Sequence, residues 1–275
     1  MPRRFVTLAW SAAACAYLLI VLGAIVRISG SGMGCGDHWP LCNGHLFPSL
    51  RDIPTVIEWS HRLVAGVVSI LVVALVVLDW RRAWPALALL ILQVILGAVT
   101  VKTGLTPVLV ILHLATAMLL LAALILAAHP GPREPVPLGL TFITVLFGAL
   151  TANLGAMASC GGFPLCNGQL IPTAGPLAWV HWVHRLLAYG VAGYVIWWMA
   201  RDQRPAGWVL GIVLLQITIA ATMIALGFPG ALQAAHAAVG AGVWGAIVIA
   251  AVKPAADPAA VVSASPRGQT LTDTH

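Results

Sequence analysis

Long apolar runs constrain this chain more than any other feature of its sequence. Eight segments of roughly 20 residues are almost wholly apolar, the length that a helix needs to cross a bilayer. Only 8% of the residues are charged and 60% are hydrophobic, whereas soluble domains are about 25% charged. The chain is therefore predicted to be an all-α integral membrane protein. The predicted spans are 5–28, 55–78, 85–102, 107–128, 138–158, 177–200, 208–227 and 231–252.

The lysines and arginines indicate how these spans are oriented. With the N-terminus inside, nine of the 14 fall on the inner side, which favours an N-in/C-in topology. These nine are Arg3, Arg4, Arg81, Arg82, Arg133, Arg201, Arg204, Lys253 and Arg267. The two sizeable outside loops are then about 29–54 and 159–176. The net charge of +6 does not indicate nucleic-acid binding, because the basic runs are short and no aromatic residues are interleaved with them.

The chain contains an internal repeat. Pro40–Pro48 (PLCNGHLFP) reappears as Pro164–Pro172 (PLCNGQLIP), 124 residues later. Further landmarks recur at spacings of 123 to 125 residues: His61 with His184, Gln93 with Gln216, His113 with His236 and Cys35 with Cys160. Both halves begin inside and hold four spans, so two pseudo-symmetric, parallel four-helix bundles are predicted. The predicted boundaries are 1–128 for the first half, 129–137 for a linker, 138–252 for the second half and 253–275 for a disordered cytoplasmic tail.

Four histidines recur with the repeat. His61 and His113 each lie six residues into a span that runs inward, roughly 9 Å below the outer helix ends. The repeat gives His184 and His236 a similar depth. Alternate helices of an up-down bundle lie diagonally across its core, so the two imidazoles of each half can face one another. Two such imidazoles can ligate the axial positions of one haem iron.

Two other roles for these histidines are less favoured. An intramembrane histidine often only hydrogen-bonds between helices, but two pairs at matched depth favour iron ligation. A closed zinc site needs more ligands than two histidines, whereas a porphyrin supplies four nitrogens of its own. His181 lies one turn before His184 and is interpreted as structural, with a hydrogen bond to a haem propionate as the alternative.

Glu58 distinguishes the two halves. It is the only carboxylate well inside a predicted span, and an ionisable group there is a functional candidate. It shares a helix face with His61, and its counterpart in the second half is His181. The difference suggests chemistry in the first half and electron handling in the second. The alternative is that Glu58 only pairs with Arg62, one helical turn away.

Four of the five cysteines lie in the outside loops. The spacing of Cys35 from Cys42, and of Cys160 from Cys166, permits one local disulfide in each loop. The outer face of a bacterial membrane is oxidising, which favours such bonds. A zinc site is the weaker interpretation because Cys-x-x-Cys spacing is missing. A structural role for the disulfides is favoured over electron exchange.

Three segments resemble haem A synthases of the bacterial type with cysteine pairs. They are Gly30–Cys35 (GSGMGC), Trp39–Gly44 (WPLCNG) and Ile57–Leu63 (IEWSHRL), and the resemblance runs over residues 1–252. It implies a multi-pass enzyme of the bacterial inner membrane, with its cysteine loops on the extracytoplasmic side. The implied reaction oxidises a methyl group of haem O to a formyl group through a hydroxymethyl intermediate, and so supplies haem A to cytochrome oxidase.

The resemblance also implies roles for the site residues. His61 and His113 would hold haem O in the N-terminal half, with Glu58 beside it as the catalytic base. The C-terminal half would hold haem b between His184 and His236. The compatible partners are membrane lipid, haem O, the haem O synthase, a membrane electron acceptor and further copies of the chain.

Two other functions remain open from the sequence. A two-haem b-type membrane electron-transfer protein would explain the four histidines but would leave Glu58 without a role. A transporter with a proton relay would place ionisable residues near the centres of the spans, whereas here they lie near one membrane face. The haems bound by the protein would discriminate between the synthase and the electron-transfer protein.

Overall fold

The chain folds into long helices. A computed structural model describes residues 2–49, 51–131, 133–202 and 207–252, and over these ranges it contains eight α-helices, one 3₁₀ turn at Met157–Ser159 and no strand. The helices are α1 (Arg3–Ile28), α2 (Ile53–Leu78), α3 (Trp80–Lys102), α4 (Pro107–Ala128), α5 (Pro135–Asn153), α6 (Pro176–Asp202), α7 (Gly207–Ala225) and α8 (Gly230–Ala250). The predicted tail 253–275 and Arg204 lie outside the described residues.

Seven of these helices, all except α6, are long and apolar enough to cross a membrane by length and composition. Helix α6 has 27 residues and coincides with the sixth predicted span, but its histidines, Arg185 and tryptophans lower its mean hydropathy. The prediction of an all-α, multi-pass membrane protein is thus confirmed.

Three helix ends differ from the prediction by three or more residues, and each does so for a local reason. Helix α3 begins at Trp80 rather than at 85, because the Asp79 side chain accepts a hydrogen bond from the backbone N–H of Arg82 and caps the helix. Helix α5 begins at Pro135, inside the predicted linker 129–137, since proline suits the first turn of a helix. It ends at Asn153 rather than at 158, shortly before Gly155 adopts a φ of +73°.

The helices of each half pack as a closed ring. Consecutive helices pack together, and α1 contacts α4 as α5 contacts α8. Helices α2 and α4 consequently lie across one ring from each other, and α6 and α8 lie across the other. This arrangement directs residues on the inner faces of α2 and α4, or of α6 and α8, toward a shared space.

Helices α1, α4, α5 and α8 join the two halves. The Tyr17 hydroxyl of α1 donates to the Ala238 carbonyl of α8 at 3.1 Å. The Trp244 indole of α8 donates to the Met118 carbonyl of α4 at 2.8 Å. Small buried residues line α1, among them Ala9, Ala12, Ala13 and Ala16. Small side chains let helices approach closely where lipid removes the hydrophobic driving force between them.

Candidate functional site

The four predicted histidines lie on the facing helices of the two rings. His184 on α6 and His236 on α8 have ring centres 6.4 Å apart and ring planes at 85°. His61 on α2 and His113 on α4 lie on the helices that face each other across the first ring. The structure therefore places the members of each predicted pair on facing helices.

The separation of His184 and His236 suits an iron atom held between them. Two iron–nitrogen bonds of about 2 Å, with about 1.1 Å from each nitrogen to its ring centre, give a centre-to-centre distance of about 6.2 Å. Among the described residues there is no group of three or more His, Cys, Asp or Glu placed to hold a bare metal ion. A porphyrin iron needs only two axial ligands, the number that a pair of histidines can supply.

Three of the histidine rings lie directly against a glycine of a neighbouring helix. They are His61 against Gly23, His113 against Gly97, and His184 against Gly148. A Cβ atom on these glycines would lie 3.2, 3.1 and 2.9 Å, respectively, from the Cε1 atoms of the rings. The glycines thus provide the space in which the imidazoles sit. Sequence reasoning missed them, although Gly23 and Gly148 recur at the spacing of the repeat.

His184 is held in one orientation by the backbone of α5. Its Nδ1 lies 3.1 Å from the Thr144 carbonyl oxygen and donates to it. Gly148 follows Thr144 by one turn, and its missing side chain leaves room there for the His184 ring. With the proton on Nδ1, the Nε2 lone pair is free for a metal, the usual arrangement of a ligating histidine.

A glutamine contacts each histidine of α4 and α8. Gln93 Nε2 on α3 lies 3.1 Å from His113 Nε2. Gln216 Nε2 on α7 lies 3.0 Å from His236 Nδ1 and 3.3 Å from its Nε2. The sequence repeat had paired these glutamines, but it did not show that they contact the histidines.

Several buried polar atoms at these positions have no hydrogen-bond partner within the described part of the chain. They are His61 Nδ1, His113 Nδ1 and Gln216 Oε1. Buried polar atoms are normally satisfied, so unpaired atoms clustered around the histidines indicate sites that bind something else.

Glu58 connects α2 to the first cysteine loop. Its Oε1 accepts from Arg62 Nη2 at 2.5 Å, and its Oε2 accepts from the backbone N–H of Cys35 at 2.7 Å. Arg62 Nη1 also donates to the carbonyls of His38 and Leu41, both at 2.7 Å. The structure therefore contains the ion pair that sequence reasoning had set as the alternative to catalysis, and it places the carboxylate beside a disulfide.

In the second half, α6 is likewise bonded to its cysteine loop, but through an arginine and without a carboxylate. Arg185 donates to the carbonyls of Gly162 and Leu165, both at 2.8 Å, and to that of Cys160. His181, the counterpart of Glu58, is 5% exposed, and its Nδ1 donates to the Ala156 carbonyl at 3.2 Å. His181 is thus bonded through Nδ1 to the backbone just before the 3₁₀ turn.

Each loop contains one local disulfide. The structure joins Cys35 to Cys42 and Cys160 to Cys166, while Cys15 in α1 is a free thiol. The disulfide half-cystines are buried, and the arginine contacts described above seat both loops on the ends of α2 and α6. The loops therefore lie at the ends of α2 and α6 that carry His61 and His184.

Comparison with known proteins supplies the context for this geometry. The family described as cytochrome oxidase assembly protein matches residues 6–248. A haem A synthase of Symbiobacterium thermophilum is 32% identical over 276 aligned positions, which cover 84% of this chain and 89% of the relative. A haem A synthase of Bacillus pumilus is 31% identical, with 73% and 78% covered. One of Alkalihalophilus pseudofirmus is 33% identical, with 62% and 67% covered.

Proposed function

The chain belongs to the cytochrome oxidase assembly protein family, and we propose that its two histidine pairs form the substrate and cofactor sites of a haem A synthase. The protein is an oxidoreductase that converts haem O to haem A. The family match and the haem A synthases that align over most of the chain support this activity. The single observation that carries the two-site assignment is the matched placement of histidines across both helix rings.

The second pair is assigned to haem b. His184 and His236 would be its axial ligands, because their ring centres lie 6.4 Å apart and the Thr144 carbonyl directs the proton of His184 to Nδ1. When bound, haem b supplies a centre that accepts and passes on single electrons. The surrounding apolar helices exclude water from it and keep the ligands in place.

The first pair is assigned to the substrate. His61 and His113 would hold haem O, with Gly23 and Gly97 giving the two rings room to turn toward it. The apolar inner faces of α2 and α4 suit the farnesyl chain of this porphyrin. In two oxidations the methyl group becomes a hydroxymethyl group and then a geminal diol, which loses water to give the formyl group. With water as the source of oxygen, each oxidation replaces one C–H bond with a C–O bond and releases two protons, and its two electrons pass to a membrane electron acceptor.

Glu58 is proposed as the base of this reaction. Oxidation of the methyl group releases protons, and a carboxylate beside the substrate can accept them. Its two oxygens bind Arg62 and the backbone N–H of Cys35, which hold the carboxylate in place beside the first cysteine loop. His181 occupies the matching position in the second half, where no methyl group is oxidised.

The orientation and the two-bundle organisation belong to the same proposal. The first half is residues 1–128 and the second is 138–252, joined by the segment around Pro135. Arg3, Arg82 and Arg201 lie at one set of helix ends and the disulfide loops at the other, which supports N-in/C-in. The disulfides favour the oxidising, extracytoplasmic side of the bacterial inner membrane for those loops.

Extraction of the bound haems tests the function. The protein is purified from cells that make haem O, and the haems are separated by chromatography. The proposal expects haem b together with haem O, its hydroxymethyl form or haem A. Two equivalents of haem b without any haem O derivative would instead identify an electron-transfer protein.

A further inference from the structure

One helical arginine at the loop end of each ring has no carboxylate partner within the described residues. In the second ring it is Arg185, which is 5% exposed and donates to backbone carbonyls. Its counterpart Arg62 is paired with Glu58, so in the first ring the unpaired arginine is instead Arg27, in the last turn of α1. At a spacing of 125 residues the repeat places Ala152 where α1 has Arg27. The first ring thus has an additional cation that the second lacks.

Arg27 lies on the face of α1 that meets His61. Gly23 precedes it by one turn, and a Cβ atom on Gly23 would lie 3.2 Å from His61 Cε1. Residues four apart share a helix face, so Arg27 is on the same side of α1, about 5.4 Å nearer the loop. Helical side chains lean toward the N-terminus of their helix, which directs the guanidinium back toward the level of the His61 ring.

The guanidinium of Arg27 has no hydrogen bond or ion pair with any residue that the structure describes, although the side chain is half-buried. The other helical cations at this end of the first ring have acidic neighbours. Arg62 is paired with Glu58, and Lys102 Nζ lies 4.0 Å from Asp37 Oδ2. A charge within a membrane span is costly and usually has a partner. The partner of Arg27 is therefore expected to be an anionic group of a ligand.

A haem carries such a group. The porphyrin bears two propionate carboxylates on one edge, and a guanidinium can bind a carboxylate through two parallel hydrogen bonds. A porphyrin held by His61 and His113 lies roughly 9 Å below the outer helix ends, so its charged edge is expected to face the nearer water, where Arg27 is. A lipid phosphate is the other anion available at this depth, but the contact of Gly23 with His61 favours the ligand of the histidines.

We propose that Arg27 is a substrate-binding residue that forms an ion pair with a propionate of the porphyrin held by His61 and His113. This inference rests on the substrate site proposed above. Two axial ligands alone leave the porphyrin free to rotate about the axis through them. The ion pair fixes this rotation, and so determines which edge of the porphyrin, and which methyl group, lies near Glu58.

An ester of haem O tests the ion pair. The protein is purified in detergent without added lipid from cells that lack the haem O synthase, and haem O or its dimethyl ester is added while absorbance is recorded. The unsubstituted protein should bind haem O about 10- to 100-fold more tightly than the uncharged ester, as expected for hydrogen bonds between charged groups. Arg27→Met should lose this preference by binding haem O more weakly and the ester equally well. Arg27→Lys should retain part of it, because the charge remains but the bidentate geometry is lost.

Lys102→Met is the matched control. Lys102 ends α3 at the same end of the ring, and its side chain is 58% exposed beside Asp37, so the same loss of charge should leave the preference unchanged. Thermal unfolding checks that each variant is folded. A full preference for haem O in Arg27→Met, or an equal weakening of haem O and ester, would overturn this inference and leave the proposed function standing. Failure of the unsubstituted protein to bind haem O at all would overturn both.

Discussion

Arg62 and Glu58 form an ion pair across one turn of α2, with Nη2 2.5 Å from Oε1 and the glutamate side chain only 5% exposed. The other carboxylate oxygen binds the backbone N–H of Cys35, next to the first disulfide. These two contacts tie the glutamate to both the helix and the loop. Whether the carboxylate serves the reaction or only the attachment of the loop can be decided by substitution.

Glu58→Gln should abolish most activity without disturbing the fold. The amide retains the shape of the carboxylate, and Arg62 keeps its bonds to the carbonyls of His38 and Leu41. Loss of a general base should lower haem A formation by about 10²- to 10⁴-fold, with haem O or its hydroxymethyl form accumulating in the purified protein. The spectrum of haem b should not change. Chromatography of extracted haems measures the first effect and absorbance the second.

Asp79→Asn provides the control for this substitution. Asp79 pairs with Arg82 at 3.3 Å at the opposite end of α2, where both side chains are more exposed, and such pairs contribute little. This variant should form haem A normally. Near-normal haem A formation by folded Glu58→Gln would show that the ion pair is only structural.

His184→Ala and His236→Ala should each remove the low-spin haem b spectrum. Each substitution deletes one of the two axial ligands proposed for the same iron. His61→Ala should keep that spectrum, because His61 lies in the other ring. Optical spectra of the reduced, purified proteins provide the measurement, and retention of the haem b signal in both second-half variants would refute the assignment.

Gly148→Ala should displace His184 and reduce the haem b content severalfold. The added methyl group would lie 2.9 Å from the ring Cε1, closer than real Cβ contacts, so the ring must move. Gly139→Ala, on the same helix, meets open space and should leave haem content intact, with a stability gain of about 1 kcal/mol from helix propensity. Haem per protein and thermal unfolding would be compared. Equal haem contents in the two variants would argue against this packing.

Non-reducing mass mapping should find Cys35 joined to Cys42 and Cys160 joined to Cys166 in protein isolated from membranes. Both loops close locally in the structure. Only Cys15 should react with a thiol reagent after denaturation without reductant. A peptide linking Cys35 to Cys160 would contradict the local pairing, although it would leave the helix topology untouched.

The helices were accessible from the sequence because the bilayer imposes a strong local rule. A span must satisfy its backbone hydrogen bonds internally, so an apolar run of sufficient length forms a helix with little dependence on its neighbours. The prediction was wrong at some helix ends, because local contacts determine where a helix begins and where it stops. Asp79 extends α3 toward the N-terminus by capping it, and Pro135 starts α5 within the predicted linker.

The sequence by itself determined the helices and, through the repeat, the correspondence of histidines that suggested two matched sites. Only the tertiary structure decided what those histidines touch. Gly148 contacts His184 because the faces of α5 and α6 that carry these two residues pack together, and Thr116 contacts Gln93 because the corresponding faces of α3 and α4 pack together. Which faces meet is decided by the interlocking of side chains along whole helices. Most positions of a membrane-spanning helix are apolar, so the pattern of apolar residues does not indicate which helix faces pack together.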